Sequence, residues 1–382
     1  MKQYLFTAGP TPVPERIQLC MAQPILYHRA PAFSELFANV RERLKWIFGT
    51  TQEVITLSAT GTGGMEAAIA NLCSPKDEVI YVNGGKFGER FGKIAQAYGL
   101  TAHAISVEWG QAVTKDAVAQ AMQAHPQAKA VLVQASETST GVMHPVGAIA
   151  DLCRAHEQMA CVVDGITAVG CCPLPMDKLG IDVLITGSQK AFMLPPGLAM
   201  IALSEKAWKI SESSTLPKFY FNLKKERDAQ QKNETAWTPA ISLIMGLNEA
   251  LKMITEEGLP QLYMRHQQMA FACREAALAL HLELLAPHAP SPAVTAIKSP
   301  KGIDSGAIVK TLRQRFGITI AGGQDHLKGK IFRLAHLGYY SPLDILQVLS
   351  ALEMTLEQLG HSFTKGAGVS AAQKIFQLDP SL

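Results

Sequence analysis

Lys190 is the residue of this chain whose type and position most clearly suggest chemistry. It ends an apolar run that begins at Asp182, and residues 191–197 after it form a turn with two prolines and a glycine. Most lysines at strand ends are solvated surface charges. A lysine that a buried strand delivers into such a turn can instead hold its amine against a ligand, and the residues upstream decide between the two interpretations.

Asp164 is the second candidate, a carboxylate that directly follows the apolar triplet Cys161-Val162-Val163. An acid and an amine at two strand ends could form a structural ion pair. An unsupported carboxylate is costly in an apolar setting, and a cationic heteroaromatic nitrogen would stabilise it. The pair is therefore compatible with either an internal ion pair or a cofactor site.

A turn rich in glycine and threonine, residues 58–67, follows another strand-like run and opens a helix. Free backbone N–H groups at a helix start, together with threonine hydroxyls, make an anion site that suits a phosphate. The turn is neither a dinucleotide-binding fingerprint, because Glu66 takes the place of the third glycine, nor a P-loop, because no Gly-Lys-Ser/Thr follows. Taken alone, it could also be a simple tight turn.

Two further strand ends carry groups that could face a flat ligand. Phe87 lies between glycines after the run 79–82, and the hydroxyl-rich segment 136–141 follows the run 130–134. In open α/β sheets, ligands bind at the carboxyl ends of the strands. Phe87 by itself could equally be a core residue.

One ligand accounts for all of these signals. Pyridoxal 5′-phosphate requires a lysine for a Schiff base, an acid for its pyridinium nitrogen, an anion cradle for its phosphate and a surface for its ring. The sequence therefore predicts a pyridoxal phosphate site.

Elements that alternate along the first two thirds of the chain must position these residues. Short β-branched runs alternate with segments of helical periodicity, which predicts a mostly parallel sheet covered by helices in an α/β protein. The predicted strands are residues 53–57, 79–82, 130–134, 161–164, 183–186 and 199–203. The predicted helices are residues 35–48, 64–73, 87–98, 115–124 and 146–157.

At 382 residues, the chain is long enough for two domains. A polar stretch, residues 211–237, is predicted to be a loop or excursion, and a smaller α+β lobe follows the prolines after residue 286, with strands at 293–297, 318–321 and 330–334. The predicted organisation is an N-terminal arm (1–20), a large cofactor-binding domain (21–255), a small C-terminal domain (256–362) and a tail without an assigned role (363–382).

The composition argues for small-molecule chemistry. The formal net charge is only +3 and no apolar run approaches the roughly 20 residues of a membrane span. We therefore expect no nucleic-acid partner, no membrane attachment and no metal, and a cytoplasmic location, since neither end carries a targeting signal. The seven cysteines lack paired spacing, so reduced thiols are expected, with the adjacent Cys171 and Cys172 as buried small hydrophobes.

With these motifs in this order, the chain resembles the class V aminotransferases of pyridoxal phosphate fold type I. The nearest pattern is that of alanine-glyoxylate, serine-glyoxylate and serine-pyruvate aminotransferases, and the similarity extends to about Gly360. The motifs that carry it are residues 8–14, 28–33, 60–67, 137–141, 187–190 and 332–338.

The resemblance implies a role for each matching residue. Lys190 would be the Schiff-base lysine and Asp164 the partner of the pyridine nitrogen. Arg333 would bind the substrate carboxylate, for which the fork of a guanidinium is suited. The remaining cofactor positions would be Thr60, Gly61, Thr62 and Gln189 at the phosphate, Phe87 under the ring and Thr138 near the phenolic oxygen.

Thr238, before Pro239, matches a threonine that in relatives reaches the phosphate of a neighbouring subunit, which implies a homodimer with shared sites. The chain departs from the family at Thr235, where some relatives have a tyrosine, and at Phe87, where many have a tryptophan.

The implied reaction is ping-pong transfer of an amino group, with Lys190 moving the proton. Small residues at Ala8, Gly9 and Ala30, of which Gly9 is a predicted substrate contact, suggest alanine or serine as donor and glyoxylate or pyruvate as acceptor. Two alternatives stay open: a lyase of the cysteine desulfurase type, although the chain has no cysteine after Cys273, and a non-catalytic subunit of a larger complex.

Overall fold

The computed structural model describes residues 2–377. Its strands, numbered in chain order, are β1 (Tyr4–Phe6), β2 (Val54–Leu57), β3 (Glu78–Asn83), β4 (Thr101–Ser106), β5 (Ala130–Gln134), β6 (Ser136–Glu137), β7 (Val142–Met143), β8 (Ala160–Asp164), β9 (Val183–Gly187), β10 (Ala199–Leu203), β11 (Val294–Lys298), β12 (Ile318–Gly322) and β13 (Ile331–Ala335).

Helices separate most of these strands. They are α1 (Glu15–Met21), α2 (Pro31–Phe48), α3 (Gly61–Leu72), α4 (Lys86–Ala97), α5 (Lys115–Ala124), α6 (Val146–Arg154), α7 (Met176–Leu179), α8 (Glu205–Glu212), α9 (Leu223–Gln230), α10 (Ile241–Glu257), α11 (Leu259–Ala279), α12 (Ser305–Phe316), α13 (Pro342–Gln358) and α14 (Ala367–Gln377), with a 3₁₀ turn at Asp325–Leu327.

The larger sheet has seven strands in the order β2-β10-β9-β8-β5-β3-β4. β10 runs antiparallel to both of its neighbours, and the other pairs are parallel. Its central strands β5, β8 and β9 are buried along their whole length, as expected of strands covered by helices on both faces. The predicted α/β class with a mostly parallel sheet is confirmed, and the six predicted strands coincide with β2, β3, β5, β8, β9 and β10 to within a residue at either end.

The edge strand β4 was missed by the sequence prediction. It pairs with β3 over six residues, but Ile105 is its only buried residue, and Thr101, Ala104 and Ser106 are exposed. A strand that faces solvent at the edge of a sheet lacks the apolar run that identifies the central strands.

The smaller sheet has the order β1-β12-β13-β11. β1, near the start of the chain, pairs in parallel with β12, so that Tyr4 lies opposite Ile318. A second apolar core joins this sheet to α11, α12 and α13. The N-terminal segment therefore extends from the small sheet to α1, which packs against α10.

The polar stretch 211–237, predicted as a loop or excursion, contains the helix α9. Asn222 caps its N-terminus by accepting a hydrogen bond from Lys225 N, and Leu223, Glu226 and Gln230 form a buried stripe. Gln230 pairs with the free edge of β2, since its amide bonds both the N–H and the carbonyl of Thr56 at 3.0 and 2.8 Å. The stretch was not predicted to be helical because its apolar content is low, and polar contacts hold α9 in place.

Part of the C-terminal tail is also helical. α14 packs on α11 and α13, where the buried Glu353 accepts hydrogen bonds from Gly366 N and Val369 N; residues 378–382 lie outside the described residues. The seven cysteines form no disulfide, and Cys171 and Cys172 are both buried. Over residues 2–377, no helix has the length and apolarity needed to cross a membrane.

Candidate active site

Lys190 lies just beyond the carboxyl end of β9, inside a turn that a buried serine holds closed. The Ser188 hydroxyl donates to Pro195 O at 2.7 Å and accepts from Leu198 N at 3.2 Å. Lys190 is only 7% exposed although it carries an amine. The sheet and this turn together deliver the amine into the protein interior.

The N-terminal arm covers Lys190. Lys190 Nζ donates a hydrogen bond to Ala8 O, Thr11 N donates to Gln189 O at 3.2 Å, and Thr11 Oγ1 donates to Lys190 O at 2.9 Å. Gly9, at a φ of +135°, leaves the space that the amine occupies, because a Cβ at this position would lie 2.4 Å from Nζ. Gly9 therefore lies directly against the predicted catalytic lysine.

Asp164 ends β8, next to β9 in the sheet, where its register partner is Ile185. Burial raises the pKa of Asp164 to about 7, against a hydrogen bond from Ile166 N at 3.0 Å. Burial also lowers the pKa of Lys190 to about 8, which the negative charge of Asp164 opposes. The structure thus brings the acid and the amine together in one buried site, where each can change its protonation state near neutral pH.

The residues predicted to bind a phosphate lie at the start of α3. Thr60 is the N-cap residue, but its hydroxyl makes no capping bond. Gln189 approaches from the Lys190 turn, and its buried amide oxygen has no hydrogen-bond partner. A Cβ on Gly187 would lie 2.9 Å from that oxygen and 3.3 Å from Gly61 N, so the amide and the helix start face one another.

Phe87 lies in the first turn of α4, and its position depends on a buried carboxylate. Glu137 Oε2 accepts hydrogen bonds from Phe87 N at 3.0 Å and Gly88 N at 2.9 Å, while Oε1 accepts from Ser139 Oγ at 2.6 Å. Burial raises the pKa of Glu137, against these bonds. The sequence analysis assigned Glu137 no role, although a lone charge inside a buried, hydroxyl-rich strand end was a signal that could have identified it.

Thr138, which follows β6 of the two-stranded β6–β7 sheet, contacts Arg333 on β13 of the four-stranded sheet. Thr138 Oγ1 shares a 2.7 Å hydrogen bond with Thr167 Oγ1, and Arg333 Nη1 donates to Thr138 O at 2.9 Å. The Nε and Nη2 groups of Arg333 donate to Gly322 O at 3.1 and 2.9 Å. Burial lowers the pKa of Arg333, against the opposing charge of Glu137. Within residues 2–377, no carboxylate forms an ion pair with this arginine.

Arg90, one turn after Phe87 on α4, also reaches this site. Its Nη1 donates to Thr62 Oγ1 at 3.0 Å, and its guanidinium carbon lies 4.8 Å from the centre of the Phe87 ring. The sequence analysis missed it because an arginine in an amphipathic helix is usually a solvated charge.

Two further predicted residues make no hydrogen bond to this cluster within residues 2–377. Thr238 follows α9, lining a small cleft with Ser58 and Trp237, and in the described part of the chain it makes no hydrogen bond to the residues around Lys190. Ala30 is the N-cap residue of α2.

These residues fit pyridoxal phosphate. A buried amine, a buried acid, an open helix start beside an unpartnered amide and an aromatic ring match the lysine, ring nitrogen, phosphate and ring face of that cofactor. The amide of Gln189 can present its NH₂ to an anion after a flip of the side chain.

The chain is similar to known proteins. The profile of the family described as Aminotransferase class-V matches residues 3–336. A protein of Synechococcus sp. named soluble hydrogenase, small subunit, is 44% identical over 98% of both chains. A serine–glyoxylate aminotransferase of Methylorubrum extorquens is 34% identical, covering 99% of this chain and 97% of its own. The structure of ureidoglycine-glyoxylate aminotransferase from Bacillus subtilis superposes with a TM-score of 0.93 at 29% identity, over 99% of this chain and 98% of that one.

Proposed function

The chain belongs to the class V aminotransferase family, a pyridoxal-phosphate-dependent transaminase of fold type I, and we propose that it moves an amino group from alanine or serine to glyoxylate or pyruvate. The observation that carries this proposal is the buried Lys190, whose lowered pKa of about 8 lies within reach of neutral pH. A group that is to exchange protons at neutral pH needs a pKa of this kind.

Lys190 and Asp164 carry the chemistry in this proposal. When bound, pyridoxal phosphate supplies the electron-accepting ring and the carbonyl that reacts with amines. Lys190 would hold the cofactor through its Nζ, and the free Nζ would take the proton from the substrate Cα and deliver it on the cofactor side. Asp164 would hold the ring nitrogen and would be ionised beside it, because a pair of opposite charges lowers the cost of burying the carboxylate.

The other residues hold the cofactor in place. Thr60, Gly61, Thr62 and Gln189 would bind its phosphate, and Thr138 its phenolic oxygen. Phe87 would support one face of the ring, in an orientation that depends on the Glu137 bonds to the α4 backbone.

Arg333 would bind the carboxylate of each substrate in turn. Its bonds to Gly322 O and Thr138 O use three of the five N–H donors of a guanidinium, and the others remain for a carboxylate. These carbonyls also fix the plane of the fork before a substrate arrives, which reduces the entropy lost on binding.

The choice of a small donor and acceptor rests on Gly9 and on the relatives. Ala8 and Gly9 pack closely over the lysine, which leaves little room for a long substrate side chain. The serine–glyoxylate and ureidoglycine–glyoxylate enzymes share glyoxylate in their names and differ in the donor. Glyoxylate is therefore the acceptor to test first.

A homodimer is part of the proposal. Thr238 makes no hydrogen bond to its own site within residues 2–377 and adjoins an exposed aromatic patch, in which Phe219 and Trp237 stack at 4.8 Å and Phe219 is 75% exposed. A second copy would cover this patch and receive Thr238 at its phosphate. A cytoplasmic location is proposed because all seven cysteines are free thiols.

The competing function is a non-catalytic subunit, which the name of the Synechococcus relative favours. A scaffold has no physical need for a buried amine and a buried acid at one strand edge, whereas a transaminase requires both. A desulfurase-type lyase is disfavoured because the chain has no cysteine after Cys273.

A panel of amino donors, each paired with glyoxylate and with pyruvate, tests the proposal. The purified protein incubated with pyridoxal phosphate should absorb visible light and turn over alanine or serine with glyoxylate, and Lys190→Ala should abolish both. Cofactor binding without turnover of any pair would favour the subunit function, and no cofactor binding at all would refute the proposal.

A further inference from the structure

Arg90 is a cation at the candidate site, and the proposed function assigns it no role. Its side chain is half-buried between the Thr62 hydroxyl and the Phe87 ring. No carboxylate forms an ion pair with it anywhere in residues 2–377, although Lys86, Glu89 and Lys93 on the same helix are all paired. A cation that is partly withdrawn from water without an anion is unfavourable unless a ligand supplies one.

The charge of Arg90 acts on the catalytic pair. It lowers the pKa of Asp164 and also that of Lys190, in both cases as a contribution smaller than burial. The guanidinium therefore interacts with the charges of both residues, in addition to its direct contact with Thr62 in the first turn of α3.

The phosphate cradle itself contains no charged side chain. Thr60, Gly61, Thr62 and Gln189 offer hydroxyls, backbone N–H groups and an amide, all of them neutral. A phosphate monoester carries about −1.5 to −2 charges at pH 7. Charge-assisted hydrogen bonds to such a group are roughly twice as strong as neutral ones.

We propose that Arg90 is the cationic residue that binds the cofactor phosphate, with the contact to Thr62 holding its guanidinium beside the α3 start. This inference rests on the proposed function, because it requires that the site takes a phosphorylated cofactor. Arg90 thus supplies the charge that the cradle lacks, and it links the phosphate to the helix that carries Phe87.

Two other roles would leave Arg90 in the same place. Its stack on Phe87 could simply support the ring, or its charge could bind a second carboxylate of an acidic amino donor. When Arg90 is substituted, the three roles predict different losses of affinity for ligands with and without a phosphate. The test therefore compares pyridoxal phosphate with pyridoxal.

The experiment titrates the full-length apoprotein with each ligand and follows visible absorption. Arg90→Gln removes the charge, and Arg90→Lys retains it without the planar fork. Lys93→Gln is the matched control, since it removes one positive charge from the same helix at a side chain that is 63% exposed. Thermal unfolding of each apoprotein reports whether the variant is folded.

Arg90→Gln should lower the affinity for pyridoxal phosphate about 10- to 100-fold, the range expected for one hydrogen bond to a charged group. It should change the affinity for pyridoxal less than about threefold. The affinity of Arg90→Lys for pyridoxal phosphate should lie between those of Arg90→Gln and the unchanged protein. The affinity of Lys93→Gln should equal that of the unchanged protein. Equal losses of affinity for both ligands would overturn the inference and would indicate that Arg90 supports the cofactor ring through Phe87. Unchanged affinity for both would also overturn it, and loss confined to turnover of acidic donors would assign Arg90 to the substrate.

The unmodified protein separates this inference from the proposed function. If it binds neither ligand, the proposed function fails and Arg90 has no phosphate to bind. If it binds pyridoxal phosphate and Arg90→Gln binds it as tightly, the inference alone fails.

Discussion

The lowered pKa of Lys190 predicts how fast the apoprotein captures pyridoxal phosphate at each pH. Only the neutral amine reacts with a carbonyl. With a pKa of about 8, Lys190 is a free amine in about 10% of molecules at pH 7. A solvated lysine with a pKa of about 10.4 reaches only about 0.04%, so burial gives about a 200-fold advantage. The capture rate should therefore rise about tenfold per pH unit below pH 7 and level off by about pH 9.

Stopped-flow mixing of the apoprotein with pyridoxal phosphate, followed at visible wavelengths and constant ionic strength, measures this profile. A small lysine derivative run in parallel corrects for the ionisation of the cofactor itself. Capture by the protein that keeps rising through pH 10 in step with the free derivative would refute the assignment of a lowered pKa to Lys190.

Asp164→Asn is the matched variant for this experiment. The negative charge of Asp164 raises the pKa of Lys190 against the larger effect of burial. Without that charge, the pKa of Lys190 falls further, so the midpoint of the capture profile should move to lower pH. A shift to higher pH would contradict the electrostatic coupling of these two residues.

Three further changes test the neighbouring contacts. Glu137→Gln can keep an oxygen for Phe87 N and Gly88 N, but its NH₂ replaces the oxygen that accepts from Ser139 N and Ser139 Oγ. The free energy of unfolding should fall by about 1–3 kcal/mol in urea titrations, and a value equal to that of the unchanged protein would argue against these Ser139 bonds. Gly9→Ala should lower the free energy of unfolding by about 1–3 kcal/mol through backbone strain. It should also slow cofactor capture, because the new Cβ would clash with Lys190 Nζ. Gly99→Ala is the control, because Gly99 also has a positive φ but no atom lies near its Cβ position. It should lose stability without slower cofactor capture. Equal capture rates for the two variants would exclude an effect of the contact between the residue 9 Cβ and Lys190 Nζ. Arg333→Lys should raise KM for carboxylate substrates about 10- to 100-fold through the lost fork, and an unchanged KM in steady-state assays would remove Arg333 from the substrate site.

The sequence predicted the central strands and the residues at their carboxyl ends, because buried parallel strands are continuous apolar runs and the ends of such strands share one edge. It did not predict β4 or α9. In both, solvent exposure or polar contacts replace the apolar pattern: β4 buries only Ile105, and α9 is held in part by the Gln230 amide on Thr56. Glu137 and Arg90 were missed for a related reason, since each contacts a residue that is distant in sequence, Phe87 for Glu137 and Thr62 for Arg90.

The two sheets contribute different parts of the candidate site, and this division affects Lys190 directly. The cradle and the acid belong to the large sheet, whereas Ala8 O, which accepts the Lys190 hydrogen bond, follows β1 of the small sheet. Arg333 lies on β13 of the same small sheet, in register with Ala321 of β12. The acceptor of the Lys190 hydrogen bond and the arginine that we propose binds the substrate carboxylate are therefore both held by this sheet, through the β1–β12 and β12–β13 pairs.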